Sequence, residues 1–529
     1  MDTKALRQKI LDLAIRGKLV PQDPSDEPAS ALLEKIREEK ARMVKEGKLK
    51  KKDIKNDSII YVGDDNLHYE KFQDGTVKCI EDEIPFEVPE GWSWCRLRVL
   101  FNVCSAKRVR QADWKQEGIP FYRAREIVKL SDNGYVENEL FISEEHYSHV
   151  KEDYGVPQSG DLMVSGVGTI GKIYVVKEAD RFYYKDASVL CFENRTGFVM
   201  PEFARILLES SFIQTQMKDN SKGTTVDTIT ISAAMNYLCI LPPIKEQSHI
   251  VQAVQNAFIY TEEIQKNKIS LQTLITETKS KILDLAIRGQ LIPQNPDDEP
   301  ASALLERIRA EKEELIKQGK IKRDKKESVI YKGEDNSYYV SKDAHTEPVD
   351  EQFIFELPDN WEWCSLLNIA KVELGKTLDR AKNTGINHPY LRSVNVCWNK
   401  VDLTDLNEMR FEPDELERYT IRRNDLLICE GGDVGRSCVW TAEDEIQYQN
   451  ALHRVRFYGG CNPFYFMYYM MYYENRGIIK ALCKGVTIKH LTRNILSLIP
   501  FALPPLEEQN RIVEQLKQIF SLLDSILCE

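Results

Sequence analysis

Near the C-terminus, Ile512, Leu516, Ile519, Leu523 and Ile526 fall at alternating steps of four and three. That spacing lays apolar side chains along one stripe of a helix and makes the seam where two helices coil together. The middle of the chain keeps much of the rhythm at Ile250, Val254, Ala257, Ile264, Leu271, Ile275, Ile282 and Leu285, with polar breaks at Thr261, Lys268 and Thr278. Unbroken from Glu246 to Arg288, such a helix is roughly 60 Å long. Two prolines precede each stretch, as suits a helix start. Gly17 and Gly289 stand where C-caps belong, with Pro21 and Pro293 beyond. Further helices are predicted from about Ala29 and Ala301, and the polar stretches 48–85 and 320–350 read as linkers. The segments 96–240 and 365–502 are rich in short β-prone runs.

These elements recur. Lys9-Ile10-Leu11-Asp12-Leu13-Ala14-Ile15-Arg16-Gly17 returns as the run from Lys281 to Gly289, and the run from Asp26 to Glu34 returns from Asp298 to Glu306, both shifted by 272. Pro89-Glu90-Gly91-Trp92-Ser93-Trp94-Cys95 matches Pro358-Asp359-Asn360-Trp361-Glu362-Trp363-Cys364 at 269, and Leu241-Pro242-Pro243-Ile244-Lys245-Glu246-Gln247 matches Leu503-Pro504-Pro505-Leu506-Glu507-Glu508-Gln509 at 262. Residues 503–529 therefore align with 241–267, and Met1 onward aligns with 273 onward. One conserved helical unit lies whole in mid-chain. A second is split, with Met1 to Gly17 completing the helix that stops at Glu529.

The two variable segments share landmarks as well. Pro120-Phe121-Tyr122-Arg123 answers to Pro389-Tyr390-Leu391-Arg392, and Tyr184-Lys185-Asp186-Ala187 to Tyr448-Gln449-Asn450-Ala451. Asp161 to Lys172, closing on Gly168-Thr169-Ile170-Gly171-Lys172, answers to Asp425 to Arg436. Lys222-Gly223-Thr224-Thr225-Val226 answers to Lys484-Gly485-Val486-Thr487-Ile488. One fold is thus present twice with different surface chemistry. The expected class is α+β: two globular mixed α/β domains and long coiled-coil helices in a pseudo-twofold circular arrangement. Its parts are 1–88 (helical region and linker), 89–240 (first domain), 241–357 (central helical region and linker), 358–502 (second domain) and 503–529 (closing helical region).

A length of 529 residues suits three or four domains, and 42% hydrophobic with 29% charged residues excludes collagen-like or wholly disordered chains. No run approaches the ~18 apolar residues of a membrane span, and Met1 to Lys18 lacks signal-peptide order, so the expected compartment is the cytosol. Twelve Cys without a Cys-x-x-Cys pair suggest neither zinc site nor disulfide framework. A net charge of -11 tells against a strongly basic nucleic-acid binder. Its distribution matters more than its sum: 96–240 carries 18 basic and 19 acidic groups and 365–502 carries 18 and 16, so the acidity belongs to the connecting regions.

Gly166 to Lys172 has the spacing of a phosphate-binding loop, but Ile173 follows where Ser or Thr is needed, and the second copy has Arg436 for the lysine. A strand, a glycine turn and a returning strand explain the glycines better. Asn462-Pro463-Phe464-Tyr465 resembles the Asn-Pro-Pro-Tyr signature of adenine amino-methyltransferases, but no glycine-rich loop that would hold a methyl donor accompanies it. The Met467 to Tyr473 run reads as a buried aromatic helix. Arg pairs with guanine, and Asn or Gln with adenine, in bidentate geometry. The candidate DNA-binding residues in the first segment are therefore Lys107, Arg108, Arg110, Arg123, Arg125, Thr169, Lys172, Lys185, Lys222, Thr224 and Thr225. In the second they are Lys376, Arg392, Asn395, Asn399, Arg436, Gln449, Asn450, His453, Arg454, Lys484 and Thr487. No catalytic residue, metal ligand or cofactor site is predicted.

Together, Leu13-Ala14-Ile15-Arg16-Gly17-Lys18-Leu19-Val20-Pro21-Gln22, the repeated Pro-x-x-Trp-x-Trp and the Leu-Pro-Pro-x-x-Glu-Gln helix starts resemble the specificity subunit of type I restriction-modification systems. The resemblance implies a non-catalytic DNA-recognition subunit whose two domains are separated by two long antiparallel conserved helices. Each of its two target recognition domains would read half of a bipartite double-stranded target, and its conserved helices would set the unread spacer and dock two modification subunits. S-adenosylmethionine would belong to those modification subunits, and ATP and Mg to restriction subunits that join for cleavage. Two other readings follow from the residues alone: a stand-alone adenine methyltransferase using Asn462 to Tyr465, and a coiled-coil scaffold that binds proteins.

Overall fold

The computed structural model describes residues 2–221, 227–324, 327–342, 345–349, 355–379, 383–483 and 490–528. Contacts divide the chain into two compact units, Met1–Lys268 and Ile269–Glu529. The repeat explains the division, for each unit holds one of the two variable-segment domains with its own pair of helical segments.

In the first unit, helix Thr3–Ile15 is capped by the Asp2 carboxylate, which accepts from the Lys4 and Ala5 amides. It ends at Gly17, whose φ is +63° and where a Cβ would lie 2.2 Å from Pro89 Cγ, so only glycine fits. The helix runs antiparallel to the first part of helix Ile244–Ile287. Thr3 donates to Gln265 at 2.8 Å, and Arg7 pairs with Glu262 at 2.6 Å while its guanidinium covers Phe258 at 4.6 Å. Ile10, Leu11, Ala14 and Ile15 pack with Ile250, Val251 and Val254 in one core.

The second unit repeats this pairing between Ile269–Ile287 of the long helix and helix Leu506–Cys528. Lys279 pairs with Asp524 at 2.5 Å and lies 5.2 Å over Phe520, the repeat equivalents of Arg7, Glu262 and Phe258. The apolar seam is buried unevenly, with Ile275 closed off at 5% exposure. Ile512 and Leu516 are fully buried and Ile519 and Leu523 half-buried, but Ile264, Leu271 and Ile526 are exposed.

The polar stretches predicted as linkers instead fold into three-stranded antiparallel meanders, Ser58–Val62, His68–Phe72 and Val77–Cys79, and Val329–Lys332, Tyr338–Lys342 and His345–Pro348. In the first, charge is the interior rather than the surface. Glu70, 2% exposed, accepts from Ser58, Arg96 and Arg98, and Lys40 joins Asp57 and the Arg98 carbonyl.

Each variable-segment domain closes on itself by pairing its first and last strands, Ser93–Arg96 with Leu238–Leu241 and Glu362–Ser365 with Pro500–Leu503. Between them the first domain has a four-stranded sheet in the order Asn102–Cys104, Val189–Glu193, Leu162–Ser165, Ile173–Val175. The second has Ala370–Leu374, Leu452–Phe457, Leu426–Cys429, Ser437–Val439 in the same order. A smaller sheet in each is built on the parallel pairing of Ile119–Tyr122 with Tyr183–Tyr184, and of Ile386–Leu391 with Ile446–Tyr448.

The repeated motifs meet at one junction per unit. Trp92 Nε1 donates to Glu246 at 2.8 Å and Gln22 Nε2 to the same carboxylate at 3.1 Å, while the Gln247 side chain accepts from the Met200 amide. Trp361 and Gln294 likewise donate to Glu508 at 3.0 and 2.7 Å, and Gln509 accepts from the Asn462 amide. The two motifs are thus the two sides of a latch between domain and helix pair.

Candidate nucleic-acid interface

Antiparallel pairing brings four loops of the first domain to one end of its sheets. Ser165, at the end of Leu162–Ser165, stands opposite Val189, and Cys104 opposite Cys191, so the chain after Cys104 and after Ser165 emerges beside the start of Val189–Glu193. Hydrogen bonds tie the loops together: Ala187 N to Ser105 Oγ at 3.1 Å, Lys107 N to the Tyr183 hydroxyl at 2.9 Å, Lys185 N to Tyr122 O at 2.8 Å and Gly166 N to Ser188 O at 2.9 Å. Segments 105–110, 122–125, 166–172 and 185–188 therefore share one face. The second domain repeats the construction with Lys376 N to Tyr448 O, Gln449 N to Leu391 O, Asn450 N to Lys376 O and Glu430 N to Ala451 O, at 2.9 to 3.1 Å.

The face gathers most candidates of the first domain. Lys107, Arg108, Arg110 and Thr169 are exposed on it. Arg123 and Arg125 converge on the buried Glu126 carboxylate, and Arg125 also holds Glu139. Burial pushes Glu126 up, but hydrogen bonds from both arginines outweigh it and hold the carboxyl below its ordinary range. Lys185 pairs with Asp186. Lys172 turns aside to Asp132, along a cleft of about 1030 Å³ against the helix pair.

In the second domain, Gln449 and Asn450 lie half-buried on the face, Arg392 is held by Asp405, and Arg436 is held by Asp433 and the Ser393 carbonyl. Asn399 is exposed but lines a cleft of about 550 Å³ with Trp398, Lys279 and Asp524. Four further candidates are buried in the interior of the domain. Lys376 is buried against Glu415 and over the Phe411 ring. Asn395 accepts from the Arg392 amide and donates to the Asp402 and Asp405 carbonyls. Arg454, 1% exposed, serves Glu373 and the Thr420 carbonyl, and His453 contacts the Leu491 carbonyl at 2.7 Å. Lys222, Thr224, Thr225, Lys484 and Thr487 lie outside the described residues.

What sequence reading missed are the acids that hold these cations. Glu126 could have been found, since it stands three residues after Arg123. Glu415 and Glu373, 39 and 81 residues from the cations they hold, carry no local signal.

Burial lowers the His453 imidazole from 6.5 to about 4, against the opposing Leu491 hydrogen bond. The unfolded chain takes up this proton near pH 6.5 and the folded chain only near 4. The stability at stake is therefore full above pH 6.5 and falls as pH drops toward 4, by up to about 3 kcal/mol. Urea unfolding at pH 7 and pH 5 is expected to show a larger acid loss for wild type than for His453→Gln.

Asn462 heads helix Pro463–Asn475 as its N-cap, its side chain accepting from the Phe464 amide at 3.0 Å. Tyr465 is fully buried and donates to the Ala502 carbonyl. The methyltransferase-like signature is a cap and a core residue. A family model described as the type I restriction modification DNA specificity domain matches residues 89–272 and 358–527, more than half of the chain. The chain belongs to the type I restriction-modification DNA specificity family. Within that family it is 25% identical to the EcoAI specificity subunit of Escherichia coli over 99% of this chain and 90% of the relative. The EcoEI specificity subunit of Escherichia coli matches with the same identity and coverage. A solved chain from work on complex assembly and conformational transition of the type I R-M system shares the fold, with a TM-score of 0.52, 20% identity and coverage of 84% of this chain and 93% of that one. Membership makes the chain a non-catalytic DNA-specificity subunit with two target recognition domains, and sets aside the methyltransferase and scaffold readings. Among the described residues, no helix is long and apolar enough to cross a membrane.

Proposed function

We propose that the strand-end face of each recognition domain reads one half of a bipartite DNA target in the cytoplasm, and that the helical segments set the unread interval and dock two modification subunits. The observation that carries this reading is the duplicated face: the same four loops, with Lys185 N to Tyr122 O answered by Gln449 N to Leu391 O and Gly166 N to Ser188 O by Glu430 N to Ala451 O, present different side chains in the two domains. A constant framework with exchanged contact residues is what reading two unrelated short sequences requires, since base identity is read by side chains at groove edges while the framework fixes register. In this reading S-adenosylmethionine and adenine methylation belong to the modification subunits, and ATP and Mg to restriction subunits.

The test is a methylated-base map of DNA from cells expressing the chain with its modification subunit, compared with cells lacking only this chain. Adenine methylation at a split motif is expected only when the chain is present. Identical maps, with both proteins expressed and co-purifying, overturn the proposal.

A further inference from the structure

Segment 105–110 contains neither helix nor strand, yet four contacts fix it. Ser105 Oγ accepts from the Ala187 amide, the Lys107 amide donates to the Tyr183 hydroxyl, and the Arg110 amide donates to the Asp113 carboxylate at 3.2 Å. Val109 is 3% exposed, in one core with Phe121 and Tyr183. Arg110 is extended, with φ −77° and ψ 154°, and on either side of the buried Val109 both Arg108 and Arg110 are exposed. Among the described residues neither guanidinium has an ion-pair partner, whereas Arg123, Arg125, Lys172 and Lys185 each hold an acid and Lys107 lies over the Tyr154 ring at 5.0 Å.

The second domain has no such pair at the matching positions. Thr377 and Asp379 stand there, Leu378 between them is 40% exposed, and Lys376 is buried.

We infer that Arg108 and Arg110 are the guanine-reading pair of the first domain, which rests on the DNA-reading role proposed for the strand-end face. The guanidinium fork matches guanine O6 and N7 in bidentate geometry, which an ammonium cannot do. Residues two apart on extended backbone are separated by about 6.6 Å, close to two base steps of about 3.4 Å. The pair addresses bases within about three consecutive base pairs of one half-site.

Methylated-adenine maps test this in cells expressing the full chain with its modification subunit, as wild type, as Arg108→Gln with Arg110→Gln, and as Arg108→Lys with Arg110→Lys. Both variants are expected to become permissive at guanines in one half-site only, losing about tenfold or more discrimination per position. Relaxation in the lysine variant marks base reading, because that variant keeps the charge and loses only the fork. Uniformly weaker methylation of an unrelaxed motif, restored by lysine, overturns the inference in favour of phosphate contact. An unaltered motif in both variants, or a wild-type motif without guanine, overturns it as well. A wild-type map with no split motif overturns the DNA-reading proposal itself.

Discussion

Replacing residues 57–240 with residues 327–502 of the same chain is expected to give a protein whose methylated motif carries the second domain's half-sequence in both halves. The first domain's half-sequence should disappear altogether. Each mismatched base pair typically costs about 1–3 kcal/mol, so even a three-pair half-site separates old and new targets by several kcal/mol. The transplant keeps the contacts that seat a domain on its helices. Trp361 takes the place of Trp92 opposite Glu246, Pro358 that of Pro89 against Gly17, and the Asn462 amide that of Met200 toward Gln247. Lys40 meets an equivalent pair of acceptors, since Lys312 already bonds Glu327 and the Leu367 carbonyl as Lys40 bonds Asp57 and the Arg98 carbonyl. Methylome sequencing checks the result. A motif that keeps the first half-sequence, or changes in both halves, contradicts modular reading.

The exchange begins at residue 57 rather than at the tryptophan motif because the meander belongs to the domain it precedes. Sequence periodicity could not show this. The meander's strands alternate poorly, and their innermost positions, Glu70 and Ser58, and the Asp57 that precedes them are all buried, though composition assigns them to solvent. A cue was present in the repeat: Ser58-Ile59-Ile60-Tyr61 returns as Ser328-Val329-Ile330-Tyr331, each followed by a glycine and then an asparagine with positive φ, at Asn66 and Asn336. The long helices, their glycine stops, the strand-turn-strand at Gly166 to Lys172 and the matched landmarks of the two domains were legible because each is a local pattern or a direct identity.

The interface was legible only in outline. Landmark matching found three of the four loops that converge, 122–125, 166–172 and 185–188, since the same residue types recur at those strand ends, whereas 105–110 stood out only as a basic cluster. It did not distinguish Arg108 from Arg454, because an arginine buried by a distant acid and one held out over solvent have the same letter. What separates them is tertiary: Glu373 crosses to Arg454 from the neighbouring strand, whereas Val109 anchors its loop and leaves the flanking arginines outside.

Glu70→Val is expected to lower the melting temperature of the full chain by roughly 6–20 °C, and adding Arg96→Ser and Arg98→Leu to restore most of it. Glu70 is the shared acceptor of Arg96 at 2.8 Å and Arg98 at 2.6 Å, all three nearly excluded from solvent. Burial drives the carboxyl upward, yet the arginine and Ser58 hydrogen bonds hold it below its ordinary range. Removing it alone leaves the buried Arg98 without its ion-pair partner and Arg96 with Glu83 alone, a loss of about 3–5 kcal/mol. For a unit of this size each kcal/mol moves the midpoint by about 2–4 °C. The second unit shows the apolar solution to the same junction: Val340, Ser365 and Leu367 occupy the positions of Glu70, Arg96 and Arg98, with Val340 opposite Ile330 as Glu70 is opposite Ile60. Buried charge clusters replaced whole by apolar residues are often neutral or stabilising, so the triple variant should melt within a few degrees of wild type. Calorimetry of the wild-type, single and triple chains decides the matter. Equal losses in the single and triple variants would mean that Glu70 acts through some contact other than the two arginines.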